Sequence, residues 1–421
     1  MTLTATPTPN VFEISLVRRI RSIDGLRAVA VLAVMGYHFN VGPGGGFLGV
    51  DLFFVISGFV ITRLLLRQKS AGTLKMRSFY AHRVRRLLPA LLCVLLVVQL
   101  WVWAADLPAM HSTVDSQTLA ALGFFGNWYT IFADVDYWSV LPSETPLNHL
   151  WSLAVEEQFY LVWPALVIAL VTRFSSLRTL TTVTGTGAVV CYTLAAWSYV
   201  PGLPDRAYLG TDTRAGALCL GALTAAVIGT QMSRVRNSHP LERGLPLLVA
   251  GSLGTLLILW TDAAIDSRAL YLWQLPLAGV AAAVLIGALA VLEGIHQNAH
   301  AARSPGLGTA LLKVFAARPV VAVGTISYGL YLWHWPLWVW VRHTFPEWGL
   351  TTHQLAATTG SFTLALLSYF ILESPARRSK LPVLLTAVAA ASLIVGSLAL
   401  LGEPQSHQGS DGDGPVVTGL Q

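Results

Sequence analysis

Charge is what this 421-residue chain has least of: Asp, Glu, Lys and Arg make up 11% of it, against about a quarter in ordinary soluble domains. With 54% hydrophobic residues and a mean hydropathy of +0.61, a soluble globular protein is excluded. Cysteine is equally sparse. Cys93, Cys191 and Cys219 fall inside apolar runs at unrelated spacings, which argues against a disulfide framework or a zinc ribbon. No Walker loop, G-x-S-x-G elbow, His-x-x-x-x-Asp pair or metal-spaced His/Cys set occurs, so nucleotide hydrolysis and metal chemistry are not indicated. The six Gly44–Gly49 residues fit G-x-G-x-x-G, but no strand precedes them and they read as a hinge. The net charge of +6 forms no basic patch either. It is dispersed over short loops, a topology signal and not the footprint of a nucleic-acid partner.

What the chain has is long apolar runs, at about 22–40, 47–66, 87–105, 149–171, 179–199, 208–230, 245–260, 270–292, 319–340, 354–372 and 381–402. They predict an all-α polytopic membrane helix bundle of about 11 transmembrane helices. A shorter aromatic segment, 117–132, adds one re-entrant or interfacial piece before the acidic connection ADVDYWSVLPSETP. With a cytoplasmic N-terminus, only four of the 27 Lys and Arg residues (Arg206, Arg214, Arg268 and Arg342) fall on the outer side, so the positive-inside rule sets the orientation. The N-terminus reads as an uncleaved signal anchor behind a disordered lead, 1–15. The membrane domain is expected over 16–380, an additional helix over 381–402 and a disordered external tail over 403–421.

Ionisable residues inside apolar runs are functional candidates, because each costs a few kcal/mol to insert. Arg27 and His38 are eleven residues apart, so on a helix they share one face about 16 Å apart along the axis. The GPGGG turn then brings Asp51 back near His38, where a carboxylate orients an imidazole. Phe79, Arg83 and Arg86 stand at i, i+4 and i+7, one face with two guanidinium forks and an aromatic ring that suits phosphate and adenine; an anchor of the positive-inside kind is the alternative. Glu156 and Glu157 lie at mid-span depth, Glu156 sharing a face with Tyr160. Such a glutamate orients a hydroxyl, relays a proton or pairs with an arginine such as Arg214. Asp212 and Arg214 suit an ion pair or a sugar contact equally. Ser327, Tyr331 and His334, again at i, i+4 and i+7, draw a polar stripe along an aromatic helix.

These blocks resemble the acyltransferase 3 family of integral membrane acyltransferases. The arginine, ten residues and histidine of its first span are met by Arg27 and His38, and its second-span signature by Gly49-Val50-Asp51-Leu52-Phe53-Phe54-Val55-Ile56-Ser57-Gly58-Phe59. Its Arg-x-x-Arg motif is met by Arg83 to Arg86, its Trp-Ser-Leu block by Trp151 to Pro164, and its Ser-Tyr block by Gly324 to Pro336. The resemblance implies an O-acyltransferase, most often an O-acetyltransferase, that takes its acyl group from cytoplasmic acetyl-CoA or another acyl-CoA bound by Arg27, Arg83, Arg86 and Phe79. The implied acceptor is a hydroxyl of an extracytoplasmic carbohydrate or glycosylated small molecule.

In that scheme His38, Asp51 and Glu156 are catalytic, His38 acting as base or as nucleophile. Glu157, Tyr160, Arg214, Ser327, Tyr331 and His334 line the acceptor side, with no metal. The implied location is the cell membrane, with the bilayer as partner and, in many relatives, an extracytoplasmic hydrolase-like domain. A multi-spanning exporter of glycans or lipid-linked sugars is the competing class, although no internal repeat supports it.

Overall fold

The computed structural model describes residues 19–133, 145–174, 177–236, 239–298 and 306–378. The N-terminal lead, most of the acidic connection, the 381–402 run and the tail lie outside them. Among the described residues the chain is helical, with one isolated bridge between Val200 and Leu203. In chain order the principal helices are α1 (Arg21–His38), α2 (Gly49–Ser70), α3 (Met76–Ala104), α4 (Pro108–Leu122), α5 (Gly126–Phe132), α6 (Trp151–Phe174) and α7 (Leu177–Ser198). They continue with α8 (Asp205–Leu209), α9 (Thr211–Arg236), α10 (His239–Asp262), α11 (Leu275–Asn298), α12 (Leu307–Phe315), α13 (Arg318–Thr325), α14 (Ser327–Thr344), α15 (Leu350–Ser368) and α16 (Ser374–Arg378).

Among the described residues seven helices are long and apolar enough to cross a membrane, or eight if the bent pair α12–α13 counts as one span. The sequence suggested eleven, of which the run 381–402 lies outside the described residues. Part of the difference is chemical: α1 carries Arg21, Asp24 and Arg27 within 18 residues, and α14 is crowded with Trp, Tyr and His. Hydropathy alone therefore passes over the helices that hold the polar residues of interest. The outward faces carry Leu161, Val162, Val189, Leu247, Ile258 and Leu355, all exposed, as a lipid-facing surface requires. The chain is built as a multi-pass membrane protein.

Two expected segments differ in form. The run 319–340 is not one helix: it breaks at Ile326, whose N–H is shared between the carbonyls of Ala322 and Val323. Gly324 lies there against the backbone of Asp24 in α1, so close that a Cβ would sit 1.7 Å from the Asp24 carbonyl oxygen. The aromatic segment 117–132 is a broken pair, α4 and α5, turned at Phe124 with φ +53°. α4 packs on α3 and α5 on α6.

α1 has no side-chain cap of its own. Instead Glu293, from α11, accepts hydrogen bonds from the N–H groups of Arg21 (2.8 Å) and Ser22 (2.9 Å) and from the Ser22 hydroxyl (2.7 Å). A carboxylate there satisfies orphan donors and complements the helix dipole, fixing α1 against α11. α2 is the buried centre, packed against α1, α6, α9 and α11. It crosses α9 at paired glycines: a Cβ on Gly58 would lie 1.9 Å from the Leu218 carbonyl oxygen, and one on Gly221 2.0 Å from that of Val55. Only backbone against backbone permits that approach.

Candidate active site

A cavity of about 320 Å³ opens between α1, α2, α3, α6 and α14. Its basic end is lined by Arg27, His82, Arg83 and Arg86, with Gln68, Phe79 and Ser327; farther in come Phe53, Ser57, Glu156 and Tyr160, then Ser152 and Tyr331. The periodicity read from the sequence is therefore realised. Phe79, Arg83 and Arg86 all face the cavity from α3, and Ser327 and Tyr331 face it from α14.

The arginines at the mouth differ in state. Arg83 is committed: its guanidinium pairs with Glu157 at 2.7 Å, stands 3.9 Å from Glu156 and lies over the Tyr160 ring, 3.1 Å from the centroid. Arg86 has a buried Nε with no hydrogen-bond partner among the described residues. A buried guanidinium N–H without an acceptor is costly, and an anion entering the cavity would relieve it. The donor set, Arg86 with Arg27 on the facing helix, fits phosphate oxygens.

The two glutamates separate by role. Glu156 lines the cavity and accepts hydrogen bonds from the Ser57 hydroxyl (2.5 Å) and from its i+4 neighbour Tyr160. Glu157 is turned away into the ion pair with Arg83 and is not on the cavity wall. The residue next to them, Gln158, which the sequence did not single out, ties α6 to α5 and α9 through Phe124, Asn127 and Thr211.

Beyond Tyr331 lies a cluster of three histidines. His38 Nδ1 meets His334 Nε2 at 2.9 Å with the rings stacked, and His149 packs edge-on to His334 and beside Tyr331. His334 Nδ1 is 2.7 Å from the Tyr331 carbonyl oxygen, which only accepts, so that nitrogen carries the proton. A neutral His334 then offers a bare Nε2, and His38 Nδ1–H donates to it. The lone pair of His38 is left on Nε2, the tautomer a general base needs. His149, 1% exposed, stands two residues before the Trp-Ser-Leu block and carries no spacing signal, and the sequence reading missed it.

Asp51 does not perform that orienting task. It is buried with Arg214 at 2.8 Å, and the Arg214 guanidinium lies 4.5 Å from the Tyr208 ring centroid. Arg214 likewise faces this pair and not the cavity, and its expected neighbour Asp212 is bound to Arg206 at 2.6 Å. The expectation of Asp51 beside His38 rested on the hinge between α1 and α2. The approach of α9 to α2 supplies the stronger partner. Among the described residues no set of three or more His, Cys, Asp or Glu side chains is arranged to hold a metal ion.

Comparison with known sequences fits this site. The profile of the acyltransferase 3 family, described as an acyltransferase domain, matches residues 20–374. The chain belongs to that family. Among curated members similar to it are the peptidoglycan O-acetyltransferase OatA of Listeria monocytogenes, 33% identical over 86% of this chain and 56% of that protein, and the putative peptidoglycan O-acetyltransferase YrhL of Bacillus subtilis, 34% identical over 86% and 55%. The O-acetyltransferase OatA of Staphylococcus aureus is 30% identical over 86% of this chain and 58% of its own length. The chain thus spans a little over half the length of the curated relatives it matches. No solved structure matches it.

Proposed function

We propose that this acyltransferase 3 chain is an O-acyltransferase, with acetyl the acyl group, that moves it from cytoplasmic acyl-CoA to a hydroxyl of an extracytoplasmic carbohydrate. The observation that carries the reading is the cavity itself. One continuous space joins a cationic mouth at Arg27 and Arg86, where the buried Arg86 Nε has no hydrogen-bond partner among the described residues, to hydroxyl and carboxylate groups at Ser57, Glu156 and Tyr331. Arg86 and Arg27 would hold the phosphates of the donor and Phe79 its base, while the apolar wall of Val60, Ile61 and Leu64 suits a pantetheine arm. The relatives' printed activity on peptidoglycan supports a glycan acceptor.

Orientation follows from charge. Arg19, Arg67, Lys69 and Arg77 cluster at the helix ends around the cationic mouth, which favours a cytoplasmic mouth and a cytoplasmic N-terminus in the cell membrane. α1 and α14 run side by side, Arg27 and Ser327 at the mouth and His38 and His334 farther along. His38 Nε2 then accepts the proton of an acceptor hydroxyl arriving from the far side. His334, rather than Asp51, sets the tautomer.

The test is release of free thiol from acetyl-CoA by the purified chain in nanodiscs, with soluble peptidoglycan fragments as acceptor and mass spectrometry of the product. Acceptor-stimulated thiol release and a mass gain of one acetyl group are expected. An exporter would cleave no thioester, and absence of thiol release under all acceptors would overturn the reading.

A further inference from the structure

Ser57 stands apart from the other hydroxyls of the cavity. It is 5% exposed, opens onto the cavity from the centre of α2, and donates to Glu156 Oε1 at 2.5 Å. Glu156 is itself held by the Tyr160 hydroxyl, Tyr160 lies under the Arg83 guanidinium, and Arg83 is fixed by Glu157. This is a nucleophile, a base within hydrogen-bond reach of it, and a chain of groups that orients the base. Of the other cavity hydroxyls only Tyr160 also reaches Glu156 among the described residues, and a phenol is the poorer acyl acceptor in this role because it already holds the base in place. Tyr331 donates to the His149 carbonyl at 2.7 Å, Ser152 is joined to Tyr331 at 2.5 Å, Tyr328 donates to the Leu87 carbonyl at 2.9 Å, and among the described residues no hydrogen bond places Ser327 on a carboxylate.

Ser57 and Glu156 also line the same cavity as the cationic mouth, whereas His38 lies behind Tyr331 and His334 and is not part of its wall. A donor whose phosphates rest on Arg86 therefore meets Ser57 before His38 or His334.

We propose that Ser57 is a covalent acyl carrier, with Glu156 as its base and Arg83 and Tyr160 as positioning residues; this rests on the acyl-CoA reading above. In the first step Ser57 Oγ bonds to the thioester carbonyl carbon and the C–S bond breaks. Glu156 takes the Ser57 proton and delivers it to the departing sulfur, so coenzyme A leaves as its thiol and Ser57 is left as an ester. In the second step the acceptor oxygen bonds to the ester carbon and the C–Oγ bond breaks. The acceptor proton passes to His38 Nε2 or Glu156 and ends on Ser57 Oγ. Nothing is oxidised or reduced, and no further reactant is needed.

The experiment incubates the purified full chain with radiolabelled acetyl-CoA and no acceptor, quenches in acid and maps the labelled peptide. Acid-stable label on the α2 peptide carrying Ser57 is expected. Ser57→Ala should lose the label and slow thiol release about a hundredfold or more. Ser57→Cys, nearly isosteric, should keep a label that neutral hydroxylamine now removes, a chemical change that a structural role for Ser57 would not produce. Label on His38 or another residue would overturn the proposal. So would thiol release by Ser57→Ala within about threefold of the parent; in both cases the acyltransferase reading stands. A parent chain that releases no thiol removes both.

Discussion

His38 Nδ1 and His334 Nε2 meet at 2.9 Å across the α1–α14 interface, and the Tyr331 carbonyl oxygen behind His334 fixes which of them carries the shared proton. The pair is anchored to the backbone. With His38 as the proposed base, the group that orients it is a second histidine and not a carboxylate, which suits an apolar interior where a buried anion is expensive.

If His334 sets the tautomer of His38, its loss should resemble the loss of the base. His38→Ala and His334→Ala are each expected to lower kcat for acetyl transfer by about 100-fold or more, and the double variant should be little worse than either single one. His334→Gln keeps a carbonyl acceptor near the lost Nε2 and should recover part of the rate. Transfer to peptidoglycan fragments in nanodiscs, followed by mass spectrometry, measures all four; additive losses would separate the two residues.

The two arginines of the Arg-x-x-Arg motif should behave differently. Arg86 has a free buried donor, so Arg86→Gln is expected to raise the KM for acetyl-CoA about 10- to 100-fold, the worth of one or two charge-assisted hydrogen bonds. Arg83 spends its charge on Glu157 and its face on Tyr160, so Arg83→Gln should fall mainly on kcat through a misplaced Glu156. Initial-rate kinetics over a range of donor concentrations give the split directly.

Periodicity made one half of this site legible. The stripes Phe79, Arg83, Arg86 and Ser327, Tyr331, His334 follow from helix geometry alone, and the structure turns each toward the cavity or its histidine end. Partner choice was not legible. Asp51 could be assigned to His38 from chain proximity, yet α9 brings Arg214 against it; Glu157 could be assigned to the acceptor, yet α3 brings Arg83. Both choices depend on which helices pack together, a tertiary fact that no spacing encodes. The break at Ile326 was hidden for the same reason, since it arises where Gly324 crosses Asp24.

The Asp51–Arg214 pair makes a prediction about stability and not turnover. Both side chains are about 2% exposed or less, and removing one leaves the other charged and unpaired. Asp51→Asn or Arg214→Gln should each cost about 3–5 kcal/mol, read as a large fall in Tm in a thermal scan of the detergent-purified protein. Joint replacement by Asp51→Leu and Arg214→Met should recover much of it. A normal Tm for Asp51→Asn with activity abolished would instead return Asp51 to the histidines.

The crossing of α2 over α9 gives the last prediction. Gly58 and Gly221 face backbone carbonyls at distances no Cβ tolerates, and backbone, unlike a side-chain tip, has no rotamer to escape into. Gly58→Ala or Gly221→Ala must therefore push the helices apart, at about 1–3 kcal/mol. The shift acts where Ser57 meets Glu156, so acyl transfer should fall more steeply than Tm alone accounts for. Gly251 and Gly254 in α10 provide the control: nothing lies within 4 Å of a Cβ at either. Alanine there should be neutral or stabilise by about 0.5–1 kcal/mol, since it removes only the entropy that glycine loses on entering a helix. Tm and acetyl transfer measured on the four variants decide whether close approach of α2 and α9, and not glycine content as such, holds the site together.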